Sequence, residues 1–140
     1  MSKKPIFCLL LFVTIFLCIG CRQQVTQISG TVTVDGKPAE NLKVLFQAIS
    51  DAPNVPPPAY GVTDKVGKYR LILANDKKNG VIPGEYAVFI NWEDPNPVAN
   101  DNINHAAPYK IPPHALRGEL RYTVKVGEPQ TADFHIENQE

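Results

Sequence analysis

The side chains with the chemistry of catalysis or metal binding are few, and most of them fall in one segment. His105 and His114 share a predicted loop with Tyr109 between them, and imidazole and phenolate groups can bind transition metals. The spacing is neither HxH nor HxxxH, and no cysteine cluster accompanies it. Ordinary solvated loop residues therefore explain the pattern better than a metal-dependent enzyme built on His105, Tyr109 and His114.

Nucleophilic catalysis finds no better support. The sequence contains no GxSxG motif, and the serines after Cys21, Ser29 and Ser50, have no histidine nearby in sequence. His135, the remaining histidine, is expected to face solvent on the last predicted strand. We therefore predict a protein that is not an enzyme and that uses no metal and no small-molecule cofactor.

The segment 93–117 is the place where binding is expected. It is long, rich in proline, asparagine and aspartate, and preceded by Trp92. Loops of this length in small domains are either functional or mobile, and the alternative is a crossover loop packed on the fold. Aromatic rings beside amides and carboxylates suit a carbohydrate or a protein partner. The candidate binding residues are Asp94, Asn96, Asn102, His105, Tyr109 and His114.

The N-terminus is typical of an export signal. Lys3 and Lys4 precede the charge-free apolar run 6–19, and a small residue, Gly20, ends it. This pattern predicts a signal peptide over residues 1–20. The alternative, a membrane-spanning helix, needs about 20 apolar residues, which is more than this run supplies.

The residues LCIGC at positions 17–21 resemble the lipobox of bacterial lipoproteins. The resemblance implies cleavage before Cys21, diacylglyceryl transfer to its thiol and acylation of the new amino terminus; ordinary secretion with a chance cysteine is the alternative. Two attachments of this kind hold a protein stably on a membrane. We expect residues 21–27 to be a short linker and the protein to be exported and lipid-anchored, facing the periplasm or the cell surface.

Composition and length limit the class of protein and the number of domains. The chain has 140 residues, with 14 Lys plus Arg against 14 Asp plus Glu, so it lacks the basic excess of a nucleic-acid-binding protein. It also has 13 prolines and 9 glycines, which interrupt helices, and its length suits one domain.

Alternation of apolar and polar residues predicts seven strands after Cys21. They cover residues 27–34, 42–49, 60–63, 68–73, 85–92, 120–126 and 131–137. Residues 64–67 are expected to join the third and fourth strands as a hairpin, and no segment shows helical periodicity. The fold class is therefore all-β, a seven-stranded antiparallel β-sandwich. The predicted core comprises Val32, Phe46, Tyr69, Tyr86, Val88, Val124 and Phe134.

Four stretches strengthen this assignment through a family resemblance. They are ISGTVTVDGKPAENLKVLF (28–46), GVTDKVGKYRL (61–71), IPGEYAVFI (82–90) and the tail IPP…GELRYTVKVG…DFHI (111–136). In this order they resemble the carboxypeptidase regulatory-like domain, a transthyretin-like (prealbumin-like) sandwich, over residues 28–138. The resemblance implies a non-catalytic accessory or binding module, with an envelope protein or a glycan as partner. A purely structural envelope lipoprotein is the alternative.

Overall fold

The computed structural model describes residues 24–96 and 106–138 of the chain, and these residues form two five-stranded sheets that pack face to face. The elements are β1 (Ile28–Val34), β2 (Lys37–Pro38), β3 (Leu42–Ala48), β4 (Ala59–Val62), β5 (Lys68–Arg70), β6 (Ile72–Leu73), β7 (Gly84–Trp92), α1 (Pro113–Leu116), β8 (Leu120–Val124), β9 (Gln130–Thr131) and β10 (Phe134–Ile136).

The first sheet is arranged around β1. On one side β1 pairs with β9 and β10 in parallel, with Val32 opposite Phe134. On the other side it pairs with β5 and β2 in antiparallel orientation. Ile28, Val32 and Val34 are buried, so the inward face of β1 follows the alternation in its sequence.

The second sheet has the order β6-β4-β3-β7-β8 and is antiparallel throughout. Its longest ladder joins β3 to β7, from Leu42 opposite Trp92 to Ala48 opposite Tyr86. The side chains at alternate positions of these two strands point into the core.

The predicted core is confirmed. All seven of its residues are buried, with Phe134 the most exposed at 9%. The two sheets meet where the ring of Phe46 in β3 contacts that of Phe134 in β10, edge to face, with centroids 6.2 Å apart. Phe46 also contacts the rings of Tyr86 and Tyr122. Residues far apart in sequence therefore share one apolar cluster.

The all-β prediction is confirmed, but the seven antiparallel strands are not. Within the described residues there are ten strands, because Lys37 and Pro38 form a short one and two predicted strands are each divided. The last predicted strand breaks at Ala132 and Asp133, and both of its halves run parallel to β1. An alternating pattern reveals which face is buried and leaves the direction of the pairing strand open.

The predicted hairpin at residues 64–67 is correct as a turn and only partly correct as a strand pair. Asp64 Oδ1 accepts hydrogen bonds from the amides of Val66 (3.0 Å) and Lys68 (2.9 Å), and Gly67 has a φ of 75°. Beyond the turn the chain changes sheets. Strand β5 pairs with β1, whereas β6, after the buried Leu71, returns to pair with β4.

Two smaller expectations also fail. Residues 113–116, in a segment predicted to lack helix, form α1, whose first residue is a proline; a proline suits the first turn of a helix because its missing amide needs no partner there. Val126, expected to continue the inward face of the sixth strand, lies beyond the end of β8 and is 67% exposed.

Candidate functional site

The start of the predicted binding loop is tied to the sheet. The amide of Glu93 donates to the carbonyl oxygen of Asn41 (2.8 Å), and its carboxylate lies 3.5 Å from the ammonium group of Lys43. Next, Asp94 Oδ1 accepts a hydrogen bond of 2.8 Å from the amide of Asn96, a local side-chain turn. Asn96 is exposed. The described start of the loop therefore presents polar groups to solvent.

Tyr109 has a structural role at the other end of the loop. Its hydroxyl oxygen accepts a hydrogen bond of 2.9 Å from the amide of Glu40, and its half-buried ring packs against the core, as does that of Trp92. Both aromatic residues therefore pack against the fold at the ends of the loop, and each side chain remains partly exposed.

His114 lies in α1 and borders a cleft of about 350 Å³. The cleft is lined by Lys110, Ile111, Pro112, Pro113, His114, Glu137 and Asn138. An ammonium group, an imidazole ring, a carboxylate and an amide border the same space. This set can bind a polar ligand through hydrogen bonds and charge.

Gly118 allows the chain to leave α1 toward β8. Its φ is 68°, and a β-carbon there would lie 2.4 Å from the ring of Phe89 on β7. Only glycine accommodates both the backbone conformation and the close approach. This packing sets the position of α1, and hence of His114, against the outer face of the second sheet.

The remaining predicted site residues, Cys21, Asn102 and His105, lie outside the described residues. The proposed metal set of His105, Tyr109 and His114 is therefore untested. Within residues 24–96 and 106–138, no three His, Cys, Asp or Glu side chains come together as a metal site. Asp64 Oδ1 accepts hydrogen bonds within its own turn.

A second concave surface was not predicted from the sequence. An open groove of about 710 Å³ crosses the outer face of the first sheet. Its lining residues are Ser29, Gly30, Thr31, Asp64, Lys68, Tyr69, Arg70, Thr131 and Asp133. The only feature of the sequence that relates to this groove is the set of polar residues at alternate positions of each strand. Such a pattern is equally typical of an ordinary solvent-exposed sheet face.

Asp133 orders one wall of this groove. Its Oδ1 accepts hydrogen bonds from both the amide (2.8 Å) and the hydroxyl group (3.0 Å) of Thr31. Lys68 and Arg70 supply cationic groups on the opposite strand, β5. The groove therefore offers charges of both signs and hydroxyl groups, which suits hydrogen bonding to a polar polymer.

Several ionisable groups have pKa values that are shifted by clear causes. Burial raises the pKa of Tyr86 to about 12, and burial followed by the nearby carboxylate of Asp133 raises the pKa of Tyr69. Hydrogen bonds from the backbone and side chain of Asn138 lower the pKa of Asp35. The Tyr69 hydroxyl donates to the backbone carbonyl oxygen of Ala132 and the Tyr86 hydroxyl to that of Ile82, so both hydroxyl groups stabilise the fold.

The fold and its surfaces define an all-β, sandwich-like protein. No protein-family model, curated protein or solved structure matches the chain. In the part of the chain that the structure describes, no helix has the length and apolar character needed to span a membrane.

Proposed function

We propose that the protein is exported, held at the cell envelope by lipid on Cys21, and acts there as a non-catalytic binding or accessory module. The support for export is the basic pair Lys3 and Lys4 followed by the apolar run 6–19. The support for lipid attachment is the LCIGC motif at the end of that run. With residues 1–20 removed, Cys21 is the one cysteine of the chain.

We further propose that the domain is a carboxypeptidase regulatory-like, transthyretin-like sandwich. The support is that each of the four resembling stretches coincides with paired strands. The first covers β1 to β3, the second β4 and β5, the third the start of β7, and the last β8 to β10. The family's usual role is that of an accessory module.

The observation that carries the proposal is that the N-terminus and the long loop leave the sandwich at opposite ends. We call residues 24–26, 49–58, 74–83 and 125–130 the N-terminal pole, where Thr26 pairs with Val81. We call residues 35–41, 63–67 and 92–96 the loop pole, where Trp92 pairs with Leu42. Strand β7 spans nine residues from Gly84 to Trp92, roughly 26 Å at about 3.3 Å per residue.

This polarity suits a protein anchored by its N-terminus. An anchor at one pole leaves the loop at the other, where it can meet an envelope protein or a glycan. The prolines of the loop limit the conformations that binding must freeze, and its Asn and Asp side chains offer hydrogen-bonding groups.

Mass spectrometry of the protein from native membranes tests the anchor. We expect an N-terminal peptide that begins at acylated Cys21. A free Cys21 thiol or an intact Met1 would contradict this part of the proposal.

Binding through the loop is tested by replacing residues 94–107 with a Gly-Ser linker that stops short of Tyr109, so that its bond to Glu40 is kept. A photo-reactive amino acid at Asn96, with the same group at exposed Glu128 of the N-terminal pole as the matched control, is used to trap protein partners in cells. Isolated cell-wall material is used in co-sedimentation to detect glycan binding.

We expect crosslinks from Asn96 and not from Glu128, or co-sedimentation that the linker variant loses while its denaturation midpoint is unchanged. Full retention of binding by the linker variant would exclude the loop. Stoichiometric metal or turnover of a substrate by the intact protein would overturn the non-catalytic assignment.

A further inference from the structure

The chain is attached to the fold before β1 begins, at Val25 and Thr26. The backbones of Thr26 and Val81 exchange two hydrogen bonds of 2.8 Å. The hydroxyl group of Thr26 also donates to the carbonyl oxygen of Lys125 (2.9 Å), and Thr26 is only 1% exposed. Val25, one residue earlier, packs against the core. Two segments of the N-terminal pole, at Val81 and Lys125, therefore hold the chain before β1 begins.

This attachment limits how far the N-terminal pole can stand from the lipid. Only Arg22 and Gln23 lie between Cys21 and Gln24, the first described residue. A chain extends by at most about 3.6 Å per residue, so the α-carbon of Cys21 lies within roughly 11 Å of that of Gln24. If Cys21 carries lipid, as proposed above, the headgroup layer of the membrane must lie beside this pole.

The N-terminal pole carries exposed apolar side chains that the fold does not use. Val126 is 67% exposed, Val55 is 51% exposed and Ile49 is 45% exposed. Ile49 follows β3 and donates its amide to the carbonyl oxygen of Glu85 (2.9 Å), Val126 follows β8, and Val55 lies in the loop between β3 and β4. Val126 is the most exposed of the large apolar side chains among the described residues.

We propose that the N-terminal pole rests on the bilayer surface, with Val126, Val55 and Ile49 at the boundary between headgroups and acyl chains. This inference rests on the proposed lipid anchor, and it adds a second, protein-borne contact that sets the orientation of the domain. The lipid on Cys21 already holds the protein stably on the membrane, so the contribution of these side chains is orientation. The loop pole then points away from the membrane.

The charges of the N-terminal pole predict how the membrane contact depends on the charge of the lipid headgroups. Lys78 is paired with Asp76 at 2.8 Å, and Lys77 is engaged with the hydroxyl group and the ring of Tyr60. Lys125 lies close in sequence to Glu128. With the exposed Asp51, this pole contains three lysines and three carboxylates. Because these basic and acidic groups balance, we expect the contact to depend on apolar insertion and to change little between zwitterionic and anionic lipids.

Single-cysteine variants of the full chain test the orientation. In the lipid-modified protein the thiol of Cys21 is blocked, so V126C, V55C or the control V66C supplies the one reactive thiol. Val66 is a matched control because it is 57% exposed in the turn of the loop pole. Each variant, made in a lipoprotein-processing bacterium, is labelled with an environment-sensitive fluorophore and placed in phosphatidylcholine vesicles that contain a headgroup spin-labelled lipid.

We expect quenching at V126C and V55C to exceed that at V66C several-fold, with the same ratio when phosphatidylglycerol is added. Equal quenching at all three sites, or stronger quenching at V66C, in protein that floats with the vesicles overturns the orientation alone. A parent protein that labels at Cys21 and does not float overturns the lipid anchor, and with it this inference.

Discussion

The hydroxyl group of Tyr69 donates a hydrogen bond of 2.5 Å to the backbone carbonyl oxygen of Ala132. Tyr69 lies in β5 and Ala132 lies between β9 and β10, so the bond passes over β1, which separates these strands. Gly30 of β1 makes the crossing possible, since a β-carbon there would lie 1.9 Å from the Ala132 oxygen. The C-terminal strands are thereby held on β1 by a side chain as well as by their backbone.

Replacing Tyr69 with phenylalanine should lower the free energy of unfolding by about 1–2 kcal/mol, because the buried carbonyl of Ala132 loses its partner. Tyr60→Phe is the control: Tyr60 is only half-buried and its hydroxyl bonds to the exposed ammonium group of Lys77. The control should change stability by less than about 0.5 kcal/mol. Urea denaturation of the three proteins gives the comparison, and equal midpoints would contradict the role of the bond.

Alkaline pH should destabilise the protein through the same tyrosine. Burial raises the pKa of Tyr69 above its usual value of 10, so the folded state keeps a proton that the unfolded state loses. The resulting stability is complete below pH 10 and falls above it by up to about 1.4 kcal/mol per pH unit. Urea denaturation at pH 8 and pH 11 should show this loss, and Tyr69→Phe should lose less. A wild-type midpoint unchanged at pH 11 would contradict the prediction.

The hydroxyl group of Thr63 should contribute substantially to the free energy of unfolding. Its buried hydroxyl group donates to the carbonyl oxygen of Ala39 (2.6 Å) and accepts from the amide of Leu42 (2.9 Å). Thr63→Val keeps the shape and leaves both backbone groups unsatisfied, at a cost of about 1–3 kcal/mol. The same change at exposed Thr123 of β8 should cost almost nothing. Thermal or urea denaturation measures both, and similar losses would show that the Thr63 hydroxyl adds no stability.

The core contact between sheets predicts a large effect at Phe134. Removing its ring, which meets that of Phe46, should cost about 3–5 kcal/mol through lost burial and a cavity. Lys125→Ala, at an exposed position, should stay within about 0.5 kcal/mol. Denaturation midpoints that do not separate the two variants would refute the sheet-to-sheet packing.

Low pH should release the C-terminal residues. Asp35 Oδ1 and Oδ2 accept hydrogen bonds of 2.9 Å from the backbone and side-chain amides of Asn138, and these bonds lower the carboxyl pKa from its usual 3.8. A lowered pKa means that the contact is complete above pH 3.8 and is lost as the pH falls through the lower, folded value.

The protection factor of the Asn138 amide, which is the ratio of its intrinsic to its observed hydrogen-exchange rate, should therefore fall below pH 3.8. Asp35→Asn should accelerate the same exchange at neutral pH. Asp76→Asn, at a carboxyl group whose pKa Lys78 lowers elsewhere, should leave it unchanged. If Asp35→Asn leaves the exchange rate at Asn138 unchanged, Asp35 does not hold the C-terminal residues in place.

Local sequence determined which residues face inward. Along β3 and β7 the period of two places every second side chain on one face, so the burial of Phe46, Tyr86 and Val88 was predictable residue by residue. The turn at residues 64–67 was equally predictable, because Asp64 and Gly67 have their turn conformation as a local preference.

Tertiary structure alone decided which strands became neighbours. The run 68–73 looks like one strand, yet β5 joins one sheet and β6 the other, because the partners of each, β1 and β4, are chosen by contacts distant in sequence. The bond from Thr31 to Asp133 spans 102 residues. The same reason explains why the structural contact of Tyr109 could not be predicted, since its hydroxyl oxygen accepts a hydrogen bond from the amide of Glu40, 69 residues away. A local pattern specifies the face that must be buried; the strand or amide that meets it depends on how the whole chain packs.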